Sequence, residues 1–320
     1  MILQTLTLLR NINKALFISL ALFCCGLQMQ AQTMTEDEIM AKLNEASALD
    51  NAKKTAEALD AFLLIGKNME QQRTEVEHQI YVYCQAKACM CYETLNRYEE
   101  AYLLAKKLIA GNLTEKEKKD VGHLYAVNGY LYASSFMHGN NRQSVKARTI
   151  LEEIMPYADG KVKEYALPKI SESWFFEGAE YHLSQQYDKA LTCYQNALKG
   201  YLKLGKTKDE ISVLQHIAEI KGTLYDVAGS ENAYKQALVL AKQIGKTDVL
   251  MEILKELWNL GNRIGNVQQA QTYAASIDSL VDVTADLQTK YTYYNQKGNE
   301  AKELGQYGIA EQWYLRGKNL

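Results

Sequence analysis

Proline is nearly missing from this sequence, with only Pro156 and Pro168 in 320 residues, and glycine is held to 19. A fold of many tight turns and short strands needs both residue types at its corners, so their scarcity excludes a many-turned β-sandwich and favours helices. A dominant charge of one sign is missing too: 36 Lys and Arg against 38 Asp and Glu leave a formal net charge of −2 and a pI near 6.3. No broad basic field is available for nucleic acid or an anionic lipid surface. The apolar run from Ala15 to Leu27 is thirteen residues long, short of the ~20 that a membrane-spanning helix needs. What remains, 47% hydrophobic and 23% charged, is the composition of an ordinary globular chain.

Residues Met1 to Ala31 contain no acidic residue and place Arg10 and Lys14 ahead of that apolar run. Basic, apolar and short polar segments in this order predict a cleaved secretory signal over residues 1–31, with Ala31 at the cleavage site and a periplasmic or secreted mature chain. A lipid anchor at Cys24 or Cys25 needs a small residue before the cysteine, and Phe23 and Cys24 stand there instead. Loss of the signal removes two positive charges and no negative ones, taking the formal charge from −2 to −4. Cys84, Cys89, Cys91 and Cys193 stay with the mature chain.

The rest of the chain is periodic. In Ser171 to Leu204, the residues Trp174, Gly178, Tyr181, Ala190, Tyr194 and Ala197 are separated by 4, 3, 9, 4 and 3 positions. Two helical stripes joined by a turn account for this pattern, with small residues where the backbones approach and an aromatic filling the gap. The frame recurs at Ala46, Cys89, Gly129, Gly178, Ala218, Trp258 and Gly298, spaced by 43, 40, 49, 40, 40 and 40. On the second helix it gives Ala58, Ala101, Ala147, Ala190, Ser230, Ala270 and Ala310, and four residues on Phe62, Ala105, Leu151, Tyr194, Tyr234, Ala274 and Tyr314. These spacings resemble the tetratricopeptide repeat, in the long-helix branch whose units run to about 40 residues rather than 34.

The resemblance implies an all-α, right-handed superhelical solenoid of about seven hairpins over residues 36–320. Repeats 1–3 are expected over 36–155 and repeats 4–7 over 171–320. Residues 156–170, from Pro156 past Asp159-Gly160 to Pro168, read as an irregular link, and a second insertion falls at His138 to Arg142. The last unit stops inside its second helix, with Trp313, Tyr314 and Leu315 uncovered. That end is expected to continue into a longer polypeptide or to serve for association.

Several motifs carry weaker messages. Gly200 to Thr207 matches the phosphate-loop pattern G-x-x-x-x-G-K-[ST], but a phosphate loop follows a strand. Here the match begins inside a predicted helix, with Gly205 placed to cap it. Cys84, Cys89 and Cys91 share one predicted helix at spacings that fit no zinc pattern and read as buried thiols. His78, His123, His138, His182 and His216 are scattered over different repeats. No catalytic arrangement, cofactor or metal-ligand set is proposed by the sequence.

In an array of the kind resembled, the first helices line a concave face. Mapped onto this sequence, that face carries Phe175, Phe176 and His182 of the fourth repeat, then Gln215, His216 and Glu219 of the fifth. Lys255, Asn259 and Arg263 follow in the sixth, with Asn295, Gln296 and Asn299 in the seventh. The lining changes from aromatic to amide-rich and basic, a gradient suited to an extended peptide. Lys255 and Asn259 with Gln296 partly resemble the carboxylate clamp of chaperone-binding tetratricopeptide domains. The function expected is a non-enzymatic, exported protein-interaction module with a protein or peptide ligand and no nucleic acid. A sensor segment of a larger signalling or proteolytic protein is the alternative, and membrane attachment is expected only through a lipid or a longer chain.

Overall fold

The computed structural model describes residues 35–71, 74–139, 142–281 and 287–320; the expected signal lies outside them. Among the described residues all regular structure is α-helical, in fourteen helices that pair into seven hairpins. The chain divides into two compact units, residues 1–170 and 171–320. The first three hairpins are α1 (Glu36–Asn51) with α2 (Thr55–Asn68), α3 (Glu75–Thr94) with α4 (Tyr98–Ile109), and α5 (Glu115–Ser135) with α6 (Ser144–Ile154). The remaining four are α7 (Gly160–Leu183) with α8 (Tyr187–Leu204), α9 (Thr207–Thr223) with α10 (Val227–Ile244), α11 (Thr247–Arg263) with α12 (Val267–Val281), and α13 (Leu287–Glu303) with α14 (Tyr307–Lys318). These are the tetratricopeptide-like hairpins that the spacing implies. No described helix is long and apolar enough to cross a membrane.

The repeat frame is a packing frame. All seven first-helix positions, from Ala46 to Gly298, are buried, and so are all seven second-helix positions from Ala58 to Ala310. Apart from Trp258, these are small side chains, which bring paired helices close enough for neighbouring large residues to interlock. A Cβ on Gly178 would come 2.9 Å from the Tyr194 ring, and one on Gly298 would come 2.5 Å from Tyr314.

The turn inside each hairpin is equally regular. Seven residues after the first-helix position, the backbone is left-handed in six of the seven units, at Lys53, Asn96, Gln185, Tyr225, Gly265 and Gly305. In each case the next N–H donates to the carbonyl five residues back, at 2.8–3.0 Å, satisfying an orphan carbonyl at the helix end. The third hairpin departs from this: α5 ends at Phe136 in right-handed geometry, and the insertion runs on through Gly139 with φ +79°. Gln143 N–H donates to the Phe136 carbonyl at 3.0 Å and closes that loop.

In the first unit, the first helix of each hairpin starts on a threonine. Thr35, Thr74 and Thr114 accept from backbone N–H groups three residues on, and Glu38 and Glu117 complete capping boxes. Cys84, Cys89 and Cys91 are buried, as is Cys193 in the second unit. Between the second and third hairpins, Glu153 of α6 accepts from Tyr102 of α4 at 2.9 Å and from Tyr125 of α5, and pairs with Lys106 of α4 at 2.7 Å.

The expected link over 156–170 is corrected by the structure. Only residues 156–159 lie outside helices, and α7 already begins at Gly160. Val162 and Ala166, four residues apart, are buried at 3% and 0% exposure. That stripe outweighs Pro168, which sits inside the helix and deprives it of one backbone donor.

In the second unit, glycines end α8 and α10: Gly205 and Gly245 have φ +62° and +65°. Gly200, the first glycine of the phosphate-loop match, lies within α8, where a Cβ would come 2.1 Å from the Ser171 hydroxyl. Lys206 N–H donates to the Tyr201 carbonyl at 3.1 Å instead of facing a ligand. Both glycines of the motif therefore serve helix packing and helix termination.

Candidate functional site

Within the second unit, α7, α8 and α9 bring five aromatic side chains together. The Phe175 ring lies 5.6 Å from Tyr194 and 5.4 Å from His216, and Phe176 packs edge-on against Phe175 at 5.8 Å. His216 stacks on Tyr194 at 5.3 Å with an interplanar angle of 8°, and His182 stands edge-on to both. Tyr194 is fully buried, while Phe175, Phe176, His182 and His216 are half-buried and keep an accessible edge. Burial, with the nearby Glu219 carboxylate, raises the pKa of the Tyr194 phenol, which stays neutral.

Beside this cluster a cavity of about 530 Å³ opens between α9, α10 and α11. Glu219, Tyr234, Glu256, Asn259, Asn262 and Arg263 are the polar and aromatic side chains that define it. Burial pushes the Glu256 carboxyl above its ordinary range; Lys255 and Arg263 oppose that shift, while Glu252 and Glu219 add to it. Two carboxylates and one guanidinium on a half-enclosed wall suit hydrogen-bond donors or a cation more than they suit another carboxylate.

The structure divides the residues expected on the concave face. Asn259 and Arg263 line this cavity, and Gln296 Nε2 donates to Asn259 Oδ1 at 2.9 Å. Lys255 lines a separate cavity of about 260 Å³ with Glu252, Gln288 and Tyr293. Asn299 accepts from the Tyr314 hydroxyl at 2.6 Å, and Asn295 lies against Gly317, so both are engaged by the second helix of their own hairpin. Gln296 thus contacts Asn259, and Glu219 and Glu256 share the cavity with Arg263. Glu256 escaped sequence reasoning, although a signal existed. It stands two residues before Trp258, as His216 stands two before Ala218.

No protein-family model and no curated protein matches the sequence. Among solved structures, aspartyl phosphate phosphatase F from Bacillus subtilis is 13% identical, with 91% of this chain and 76% of that one covered at a TM-score of 0.47. A Rap protein complexed with competence and sporulation factor is 13% identical over 89% of this chain and 98% of its own, at 0.32. The C-terminal part of a TPR repeat-containing protein from Cytophaga hutchinsonii is 14% identical over 76% and 96%, at 0.33. Hairpin register, turn geometry and buried frame define this chain as a protein of tetratricopeptide-like helical repeats.

Proposed function

We propose that the protein is an exported interaction module that acts by binding rather than catalysis, holding a peptide or partner helix against the first helices of its second unit. The observation that carries this reading is the convergence of half-buried side chains from successive hairpins. An aromatic seat at Phe175 and His216 adjoins a polar cavity at Glu219, Glu256, Asn259 and Arg263. Apolar contact with a few placed polar groups is the chemistry of a peptide seat. Export rests on the charge and apolar pattern of residues 1–31.

A random peptide library selected against the mature chain tests the binding reading. Peptides so obtained are expected to lose about tenfold or more in affinity, about 1.4 kcal/mol, on Phe175→Ala or Arg263→Ala. Lys203→Ala, on the exposed side of α8, is expected to leave affinity unchanged. Equal binding by all three variants would sink the proposal. Cell fractionation with N-terminal sequencing tests export: Gln32 is the expected first residue, and a cytoplasmic chain starting at Met1 overturns it.

A further inference from the structure

We propose that His182, His216 and Glu219 form a binding site for a divalent transition-metal ion of the zinc class. One potential ligand atom from each lies within 4.8 Å of the others. His182 ends α7, while His216 and Glu219 are three residues apart and share a face of α9. Two imidazoles and a carboxylate are the donor set that zinc and its first-row neighbours take, and a set that magnesium and calcium do not favour. Ligand atoms about 2.0–2.2 Å from a tetrahedral ion stand roughly 3.4 Å apart. The cluster reaches that spacing by a modest contraction, for which the exposed Glu219 side chain has freedom.

Two further observations single this cluster out. His216 Nδ1 is buried and has no hydrogen-bond partner; Glu219 at 3.5 Å gives it a charge contact without hydrogen-bond geometry. The Tyr194 hydroxyl is likewise buried without a partner, on a residue with no exposed surface, and its phenol feels the Glu219 charge. Buried polar atoms are almost always paired, so two orphans beside one His-His-Glu cluster require an explanation. A metal ion gives His216 a partner, and a water on the position left by three protein ligands offers one to Tyr194. The Tyr194 and Phe175 rings against His216 restrict its motion, so part of the ordering cost of binding is already met by the fold.

The site shares His216 and Glu219 with the proposed peptide seat but does not rest on that reading: its ligands are contributed by the protein alone, and its test uses the metal alone. Mature protein stripped with chelator is titrated with Co²⁺ and with Zn²⁺, following the visible cobalt spectrum, the heat of binding and the thermal midpoint. One equivalent is expected to bind, with nitrogen and oxygen ligation, no thiolate-to-cobalt charge transfer, and a raised midpoint. His182→Ala and His216→Asn are each expected to weaken binding about tenfold or more, and Glu219→Gln to weaken it less. His123→Ala, whose ring contacts Asp159 at 2.9 Å in the first unit, should bind as the unaltered protein does. Circular dichroism identifies any variant that fails to fold, in which case His182→Gln on the half-buried ring replaces it. No saturable binding, a thiolate band, or unchanged affinity in the folded histidine variants overturns the site.

Discussion

Tyr225 shows what a single residue carries in this architecture. Its backbone is left-handed at φ +62°, where a side chain costs roughly 1 kcal/mol or more, yet its ring is 91% exposed and gains nothing from burial. The equivalent residues in the next two units are Gly265 and Gly305. Tyr225→Gly is therefore expected to stabilise the protein by about 0.5–1 kcal/mol, read as a higher denaturant midpoint with unchanged slope. A lower midpoint would show that the ring has a partner. Asn96, at φ +58°, fits the same position without that cost because asparagine tolerates the left-handed region.

At the scale of paired helices, glycines divide by what surrounds them. Gly178 in α7 faces the fully buried Tyr194 ring, and an added methyl would come 2.9 Å from it and 3.3 Å from Cys193 Cβ. Gly308 in α14 has nothing within 4 Å of the same atom. Alanine favours helix by about 0.5–1 kcal/mol over glycine, but overpacking a filled interface costs about 1–3. Gly178→Ala is thus expected to destabilise by about 1–2 kcal/mol and Gly308→Ala to stabilise by up to about 1 kcal/mol. Opposite shifts in thermal midpoint check the pair; stabilisation by both would contradict the close approach of α7 and α8. Pro168 makes the complementary point, since one punctuating residue did not end a helix whose apolar stripe is buried.

For the whole molecule, buried neutral acids set the response to alkali. Burial pushes the Cys84 thiol up to about 12 and the Cys91 thiol up to about 11, from an ordinary value of 9.0, and raises Cys89 as well. The folded state holds these protons while the unfolded chain begins to release them near 9, so the unfolded state is favoured as pH rises. Their stabilising contribution is complete below about pH 9 and is lost progressively between about 9 and 12. Denaturant midpoints should fall between neutral pH and about pH 10, and native thiols should resist alkylation until unfolding. A flat profile with rapid alkylation would show that the three thiols reach solvent.

Hairpin number, register and packing residues were legible in the sequence because each hairpin repeats the same local demands within about 40 residues. Small residues must stand where backbones meet, and a left-handed residue must stand at the turn. Even the row that contains His216, Glu256 and Gln296 follows from the period. The sequence alone does not determine which polar residues of that row share a site. His182 and His216 are 34 residues apart at different frame positions, and only the stacking of α9 on the preceding hairpin brings their rings to 6.2 Å. Lys255 and Asn259 lie on one helix face by spacing, yet line different cavities because neighbouring helices, rather than the helix that bears them, shape each wall. Local backbone chemistry is written in consecutive residues; a binding site is made of surfaces that meet only after the hairpins have packed.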